Sequence, residues 1–321
     1  MKQFFILLLS IFFLFGFESK SLGYKDINVK EDTSINTFAS TEYANGNFVS
    51  KKTSDTIKNN SRKEKLKDRL TNGEILKGAV INIAHPTMVE VVCEAGADFL
   101  FLDFEHGLRD YNDIGQAIIA AELHEVPTLV RLGERSLNLT ERMLDAGASG
   151  FLFPHVETAE EAAELVSWCR YKPLGVRGSG FARASISYSG NEYERRQQAN
   201  KDVVCIMIVE SLKGKENLSK ILAVEGVTGV AIGPGDISME LGVSDWKDPK
   251  VVQVLDEMAA VVKSFPNRSL LRLALTPEEA VKNVNSGANM ILLTHDVQLI
   301  KAMYSRLFTD ISTKINQATK K

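Results

Sequence analysis

The stretch Phe99-Leu100-Phe101-Leu102-Asp103-Phe104-Glu105-His106-Gly107 sets the terms on which the rest of the chain is read. It opens with four apolar residues and no polar alternation, then turns at once to acidic and imidazole groups. A strand wetted on one face alternates apolar and polar side chains, so a continuous apolar run fits a strand covered on both faces. The same pattern recurs along the chain. Strands are predicted at Ala79–Ile83, Phe99–Asp103, Thr128–Arg131, Gly150–Phe153, Val203–Val209, Gly229–Ile232, Leu270–Ala274 and Met290–Leu293.

Helix signals fall between these runs. His85-Pro86-Thr87 opens one helix, with Val91, Val92 and Ala95 expected to face inward. Thr158 with Glu161, and Thr276 with Glu279 after Pro277, have capping-box spacing. Gly96, Gly147 and Gly287 each stand just before a strand and read as helix C-caps. Eight strands alternating with helices over about 240 residues match the count and length of an α/β fold of the (β/α)₈, or TIM-barrel, type. A doubly wound open sheet is the alternative, but the G-x-G-x-x-G fingerprint after a first strand is missing. Two connections are long: 171 to 200, and Val243 to Asp248 with Trp246. Both read as active-site covers or subunit contacts.

Composition narrows the function. Charged residues make up 25% and net charge is −3, which gives no electrostatic case for nucleic acid. Three cysteines, Cys93, Cys169 and Cys205, are an odd number without C-x-x-C spacing. They support neither a disulfide framework nor a structural zinc site, and Cys205 reads as a buried small hydrophobe. The apolar run Phe4 to Phe17 has signal-peptide length, and 18 to about 60 is polar. The expected layout is a signal peptide over 1–21, a disordered spacer or second targeting segment over 22–65, and a catalytic domain over 66–321. Such a leader implies entry to the secretory pathway, ending in secretion or in a plastid-like organelle, with a retained membrane anchor as the alternative reading of the apolar run.

A barrel carries its chemistry at the C-terminal ends of its strands. There the sequence places His85, Asp103-Phe104-Glu105-His106, Arg131, His155, Glu210, Gly233-Pro234-Gly235-Asp236 and Thr294-His295-Asp296. Four of the five histidines are on this rim, His124 being the exception. Glu210 and Asp236 follow adjacent strands, and two neighbouring carboxylates repel unless a proton or cation lies between them. Hard oxygen ligands favour a divalent cation, Mg²⁺ first, with Mn²⁺ or Co²⁺ as further choices. The competing reading pairs Glu210 with Arg131 or a lysine and makes Asp236 a helix cap. His106 beside Asp103 and Glu105 suits a general base; alternatively it is a structural histidine with Asp103 as a cap. Arg131 suits a carboxylate or enolate oxygen, or else an inter-strand salt bridge. No lysine ends a strand on this rim, where a Schiff-base aldolase would hold its amine.

Taken in order, Asp103-Phe104-Glu105-His106-Gly107, Leu129-Val130-Arg131, Phe153-Pro154-His155-Val156-Glu157-Thr158, Gly175-Val176-Arg177-Gly178, Val209-Glu210 and Ile232-Gly233-Pro234-Gly235-Asp236-Ile237-Ser238 resemble the HpcH/HpaI aldolase family over about residues 65 to 310. The resemblance implies a (β/α)₈ barrel of the phosphoenolpyruvate/pyruvate type and a class II aldolase. Such an enzyme joins or separates pyruvate and an aldehyde in 4-hydroxy-2-oxo acids or 2-keto-3-deoxy sugar acids. It further implies Glu210 and Asp236 as metal ligands, and Arg131 on the keto oxygen. His106, oriented by Asp103, would be the base, and the Gly235 and Asp236 amides would receive the pyruvate carboxylate. Asp145 would reach a neighbouring subunit's site in a homohexamer. This chain departs from the family in Ile208, where glutamine is common, and in Thr294-His295, where small residues are common. The alternatives are a CoA-thioester lyase of the citrate-lyase β or malyl-CoA type, and a non-catalytic barrel used for binding.

Overall fold

A computed structural model of the chain describes residues 43–44, 47–48, 65–107, 109–186 and 191–319. The expected signal peptide, and the spacer apart from those four residues and Lys65, lie outside the described residues. Tyr43–Ala44 and Asn47–Phe48 form a short antiparallel pair.

From Lys65 onward, eight parallel strands close on themselves. They are β1 (Leu76–Ile81), β2 (Phe99–Asp103), β3 (Thr128–Arg131), β4 (Gly150–Phe153), β5 (Val204–Val209), β6 (Gly229–Ile232), β7 (Ser269–Leu273) and β8 (Met290–His295). Each pairs with its neighbours in chain order, and β8 closes onto β1. Four strands have the predicted bounds, and the other four shift by no more than three residues at either end. The barrel explains why the runs do not alternate. Leu76, Val80, Phe99, Phe101, Leu129, Leu152, Ile206, Leu271 and Leu292 fill the interior. The intervening residues, among them Ile81, Leu100, Leu102, Val130, Phe151 and Val230, pack under the helices. At roughly 1.5–3 kcal/mol for each fully buried large side chain, both layers stabilise the fold. Gly78 makes room inside: a Cβ there would sit 2.3 Å from the Phe99 ring.

The helices are α1 (Leu66–Thr71), α2 (Pro86–Glu94), α3 (Tyr111–Leu123), α4 (Leu137–Ala146), α5 (Ala159–Cys169), α6 (Arg183–Ile186), α7 (Glu192–Asp202), α8 (Leu212–Ala223), α9 (Pro234–Glu240), α10 (Pro249–Lys263), α11 (Pro277–Asn285) and α12 (Asp296–Thr319). Leu66 and Leu70 of α1 join the interior cluster. Lys67 reaches the Val203 carbonyl just before β5, so α1 closes the N-terminal end of the barrel. Thr158 and Glu161 form the expected capping box. Thr276 caps α11 through the Glu279 amide, but the Glu279 carboxylate bonds the Leu275 amide instead of closing the box. Gly96, Gly147 and Gly287 all take the positive φ of a C-terminal cap.

Two expectations need correction. Val91 and Ala95 of the α2 segment are exposed, while Val89 and Cys93 face inward. The stretch 171 to 200 contains α6 and most of α7, not an open loop. The buried side chains of α7 are Arg195 and Asn200, so no apolar stripe announces it. Asn200 instead bonds both the amide and the carbonyl of Tyr171, at 2.6 and 3.1 Å. All three cysteines are buried, and none forms a disulfide among the described residues.

Candidate active site

Strand parity builds the site. The inward positions Val80, Phe101, Leu129 and Ile208 are each followed two residues later by Asn82, Asp103, Arg131 and Glu210. The interior cluster therefore gives way at the C-terminal rim to a ring of polar side chains on the same face.

Asp103 is fully buried and grips Arg131 with two hydrogen bonds, Arg131 Nε to Oδ1 at 3.0 Å and Nη2 to Oδ2 at 2.9 Å. The cross-strand salt bridge anticipated as the alternative for Arg131 is thus real. Oδ1 also accepts the backbone amides of Glu105 and His106 at 3.1 and 3.3 Å. Burial alone would raise this carboxyl, but Arg131 and the amides outweigh it and hold the pKa below the ordinary value. The expected pairing of Asp103 with the His106 ring is not what forms. Asp103 holds the His106 amide, whereas the ring, 72% exposed, has its Nε2 3.6 Å from Glu105 Oε2. Glu105 also lies 3.1 Å from Arg131 Nε and 3.5 Å from His155 Nε2. It is a hub between two imidazoles and the guanidinium that the sequence reading left in the background.

Glu210, only 7% exposed, is the second centre. Its Oε1 accepts the His155 amide at 2.9 Å, and His155 Nδ1 lies 3.0 Å away. His155 takes a φ of 56°, the left-handed region, which a non-glycine residue adopts at a cost. Asp236, in the first turn of α9, comes within hydrogen-bonding reach of the Glu210 carboxyl. Burial first, and Asp236 second, push the Glu210 pKa up to about 7 against the opposing His155 amide. The sequence between them makes the approach possible: a Cβ on Gly233 would stand 2.7 Å from Glu210 Cβ and Oε2. Over Gly235, by contrast, a Cβ would meet nothing within 4 Å. Among the described residues no group of three or more His, Cys, Asp or Glu side chains is arranged to hold a metal ion.

Of the four rim histidines, His106, His155 and His295 converge. His85 instead caps α2, accepting the Thr87 amide at 3.2 Å. His124, off the rim, pairs with Glu94 at 2.9 Å. Asp145 is not brought to the rim of its own chain. It lies near the C-terminus of α4, close to where Ser149 bonds Thr128 at the start of β3, and pairs with Arg177 at 2.8 Å. Asn82 and Arg109 were not anticipated. Arg109 donates to the carbonyls of Asn82, Asp103 and His106, fastening the β1 and β2 ends together.

Comparison with known proteins agrees with this architecture. The sequence profile described as HpcH/HpaI aldolase/citrate lyase matches residues 78–301. A hydroxypyruvate/pyruvate aldolase of Roseovarius nubinhibens is 34% identical over 73% of this chain and 91% of that protein. A 2-keto-3-deoxy-L-rhamnonate aldolase of Salmonella gallinarum is 34% identical over 75% of this chain and 91% of that one. The crystal structure of an HpcH/HpaI aldolase from Desulfitobacterium hafniense superposes with a TM-score of 0.73 at 29% identity, covering 77% of this chain and 96% of that one. Barrel, rim and relatives together define a carbon–carbon lyase of the aldolase class. The chain belongs to the HpcH/HpaI aldolase/citrate lyase family.

Proposed function

We propose that Glu210 and Asp236 hold a divalent cation, Mg²⁺ before Mn²⁺ or Co²⁺, and that the enzyme makes or breaks the bond between pyruvate and an aldehyde. Its substrates are 4-hydroxy-2-oxo acids or 2-keto-3-deoxy sugar acids. One observation carries the reading: a nearly buried carboxyl pushed up to about 7 beside a second carboxyl. Such a pair lacks positive charge, and a hard cation supplies it. Two protein carboxylates, with remaining positions left to substrate oxygens and water, are a donor set that Mg²⁺ accepts. The bound ion would supply positive charge for the carboxylate and keto oxygen of the 2-oxo acid.

The side chains divide the remaining work. Asp103 occupies the Nε and Nη2 edge of Arg131, so the other guanidinium N–H groups are left to receive the keto oxygen, which becomes the enolate oxygen. Fixed donors aimed at developing charge cost no reorganisation during reaction. His106 accepts the proton of the C4 hydroxyl as the C3–C4 bond breaks, with Glu105 stabilising the imidazolium. The bonding pair passes into the enolate, and protonation at C3 completes pyruvate. The Gly235 and Asp236 amides receive the substrate carboxylate.

The enzyme acts as a homo-oligomer, a hexamer by resemblance, in which Asp145 of one copy serves a neighbour's site. Two observations support this. Asp145 is remote from its own rim, and α12 is exposed over nearly its whole length, including Phe308 at 64%, Ile311 at 54% and Ile315 at 56%. The apolar run Phe4 to Phe17 supports entry to the secretory pathway, with secretion or a plastid-like organelle as the destination.

The test is a lactate-dehydrogenase-coupled screen of 4-hydroxy-2-oxo acids with chelator, then with each metal restored. Pyruvate should appear only with metal, and Glu210→Ala and Asp236→Ala should abolish it. Release that survives chelation, or a borohydride-trapped adduct with pyruvate, would refute the reading.

A further inference from the structure

The eighth strand departs from regular pairing next to the site. Met290 pairs with Leu76 and Leu292 with Gly78, but the next pair joins His295 to Val80. From Leu292 to His295 is three residues, while β1 advances only two, from Gly78 to Val80. This is a β-bulge in β8. Partners in parallel strands share a face, and Leu76 and Val80 both belong to the interior cluster. Regular alternation from Leu292 would turn Thr294 inward and His295 toward the helices. The extra residue reverses this and re-aims His295 into the barrel mouth.

There, His295 Nδ1 makes a short contact with Asn82 Oδ1. Asn82 Nδ2 reaches Asp103 Oδ2 at 3.5 Å, a long contact, and Asp103 clamps Arg131. The proton positions along this chain follow from one end. Asp103, held ionised by Arg131, only accepts. Asn82 must therefore donate through its amide nitrogen and present Oδ1 to His295, and His295 must carry its proton on Nδ1. Asp296 keeps the two strands in place: it is buried and accepts the Asn82 and Ile83 amides at 3.0 and 2.9 Å.

We propose that His295 is a positioning residue for Arg131, acting through Asn82 and Asp103. The imidazole N–H fixes which way the Asn82 amide faces. With that amide fixed, one lone pair of Asp103 is committed, and the carboxylate plane that aligns the guanidinium is set. Without His295 the amide is free to turn its oxygen toward the Asp103 carboxylate, and the repulsion loosens the clamp. The inference rests on the role given above to Arg131 in holding the keto oxygen, and it assigns this chain's unusual β8 terminus to that task.

The test compares His295→Leu, His295→Asn and His295→Gln in the full chain, by steady-state kinetics, thermal stability and the Arg131 Nε–H resonance, identified by its loss in Arg131→Lys. The amide nitrogen of asparagine can stand where Nδ1 stood; that of glutamine extends past it. His295→Leu should lower kcat by ~10-fold or more, as loss of an outer-shell partner does, with a smaller change in KM. Its Arg131 resonance should move or broaden. His295→Asn should restore both, and His295→Gln should not. Wild-type kcat and an unmoved resonance in His295→Leu would overturn the proposal. So would equal losses in the leucine and asparagine variants that track thermal stability. If the wild-type enzyme releases no pyruvate from any 2-oxo acid, the functional reading fails separately. The resonance then decides alone: recovery in His295→Asn supports positioning, and no response to His295→Leu overturns it.

Discussion

Glu210→Gln offers the sharpest test of the carboxylate pair, because it should stabilise the metal-free protein while destroying its activity. In the folded chain Glu210 titrates at about 7, against 4.5 ordinarily. At 1.36 kcal/mol per pH unit, keeping this group charged in the fold costs about 3 kcal/mol once the pH is above 7. A raised folded pKa fixes the sign. The stabilisation from the bound proton is fully present below pH 4.5 and is lost as pH rises through 7. In chelator, wild-type stability should therefore fall relative to Glu210→Gln across that window, by about 3 kcal/mol at pH 8. Taking the difference between the two proteins cancels the carboxylates remote from Glu210, and what remains belongs to the Glu210–Asp236 pair. The assay is urea unfolding followed by far-UV circular dichroism at half-unit pH steps. Adding Mg²⁺ or Mn²⁺ should restore the wild type alone. Its apparent affinity should rise about tenfold per pH unit below 7, as one proton leaves per ion bound, and level off above. A difference that does not change between pH 4.5 and 8, or metal stabilisation that does not depend on pH, would show that the pair is not poised as argued.

Other perturbations follow from the same geometry. Gly233→Ala needs no unusual φ, so its Cβ acts only by pressing on Glu210; Mn²⁺ affinity by calorimetry should drop ~10-fold or more, while Gly235→Ala leaves it unchanged. Arg131→Met leaves the fully buried Asp103 without its cation and should cost ~3–5 kcal/mol in urea unfolding, beyond abolishing pyruvate release. If the proposed homo-oligomer is held through α12, ending the chain after Leu299, which removes most of that helix, should lower the mass seen by light scattering; an unchanged mass would refute a subunit contact through α12.

Much of this was readable in one dimension, and the reasons are local. Strands buried on both faces must be apolar throughout, so Phe99–Leu102 and Val204–Val209 announce themselves. A strand's last inward residue must be followed by the rim, so Asp103, Arg131 and Glu210 could be assigned to one end of the barrel from position alone. Caps are local too, as Thr158 and Gly147 illustrate. The helix α7 was hidden because its buried contacts are polar, made by Arg195 and Asn200.

What tertiary structure alone decided is which neighbour each polar group meets. Nothing in the spacing of Asp103 and His106 tells that the carboxylate takes the amide and the guanidinium while the ring goes to Glu105. Nor does the order of residues reveal that His155 bridges Glu105 and Glu210, or that an extra residue in β8 turns His295 inward to Asn82. Periodicity determines which face a side chain shares, because burial is a property of each strand by itself. Partners across the barrel mouth depend on closure, register and a bulge, and those exist only once all eight strands have met.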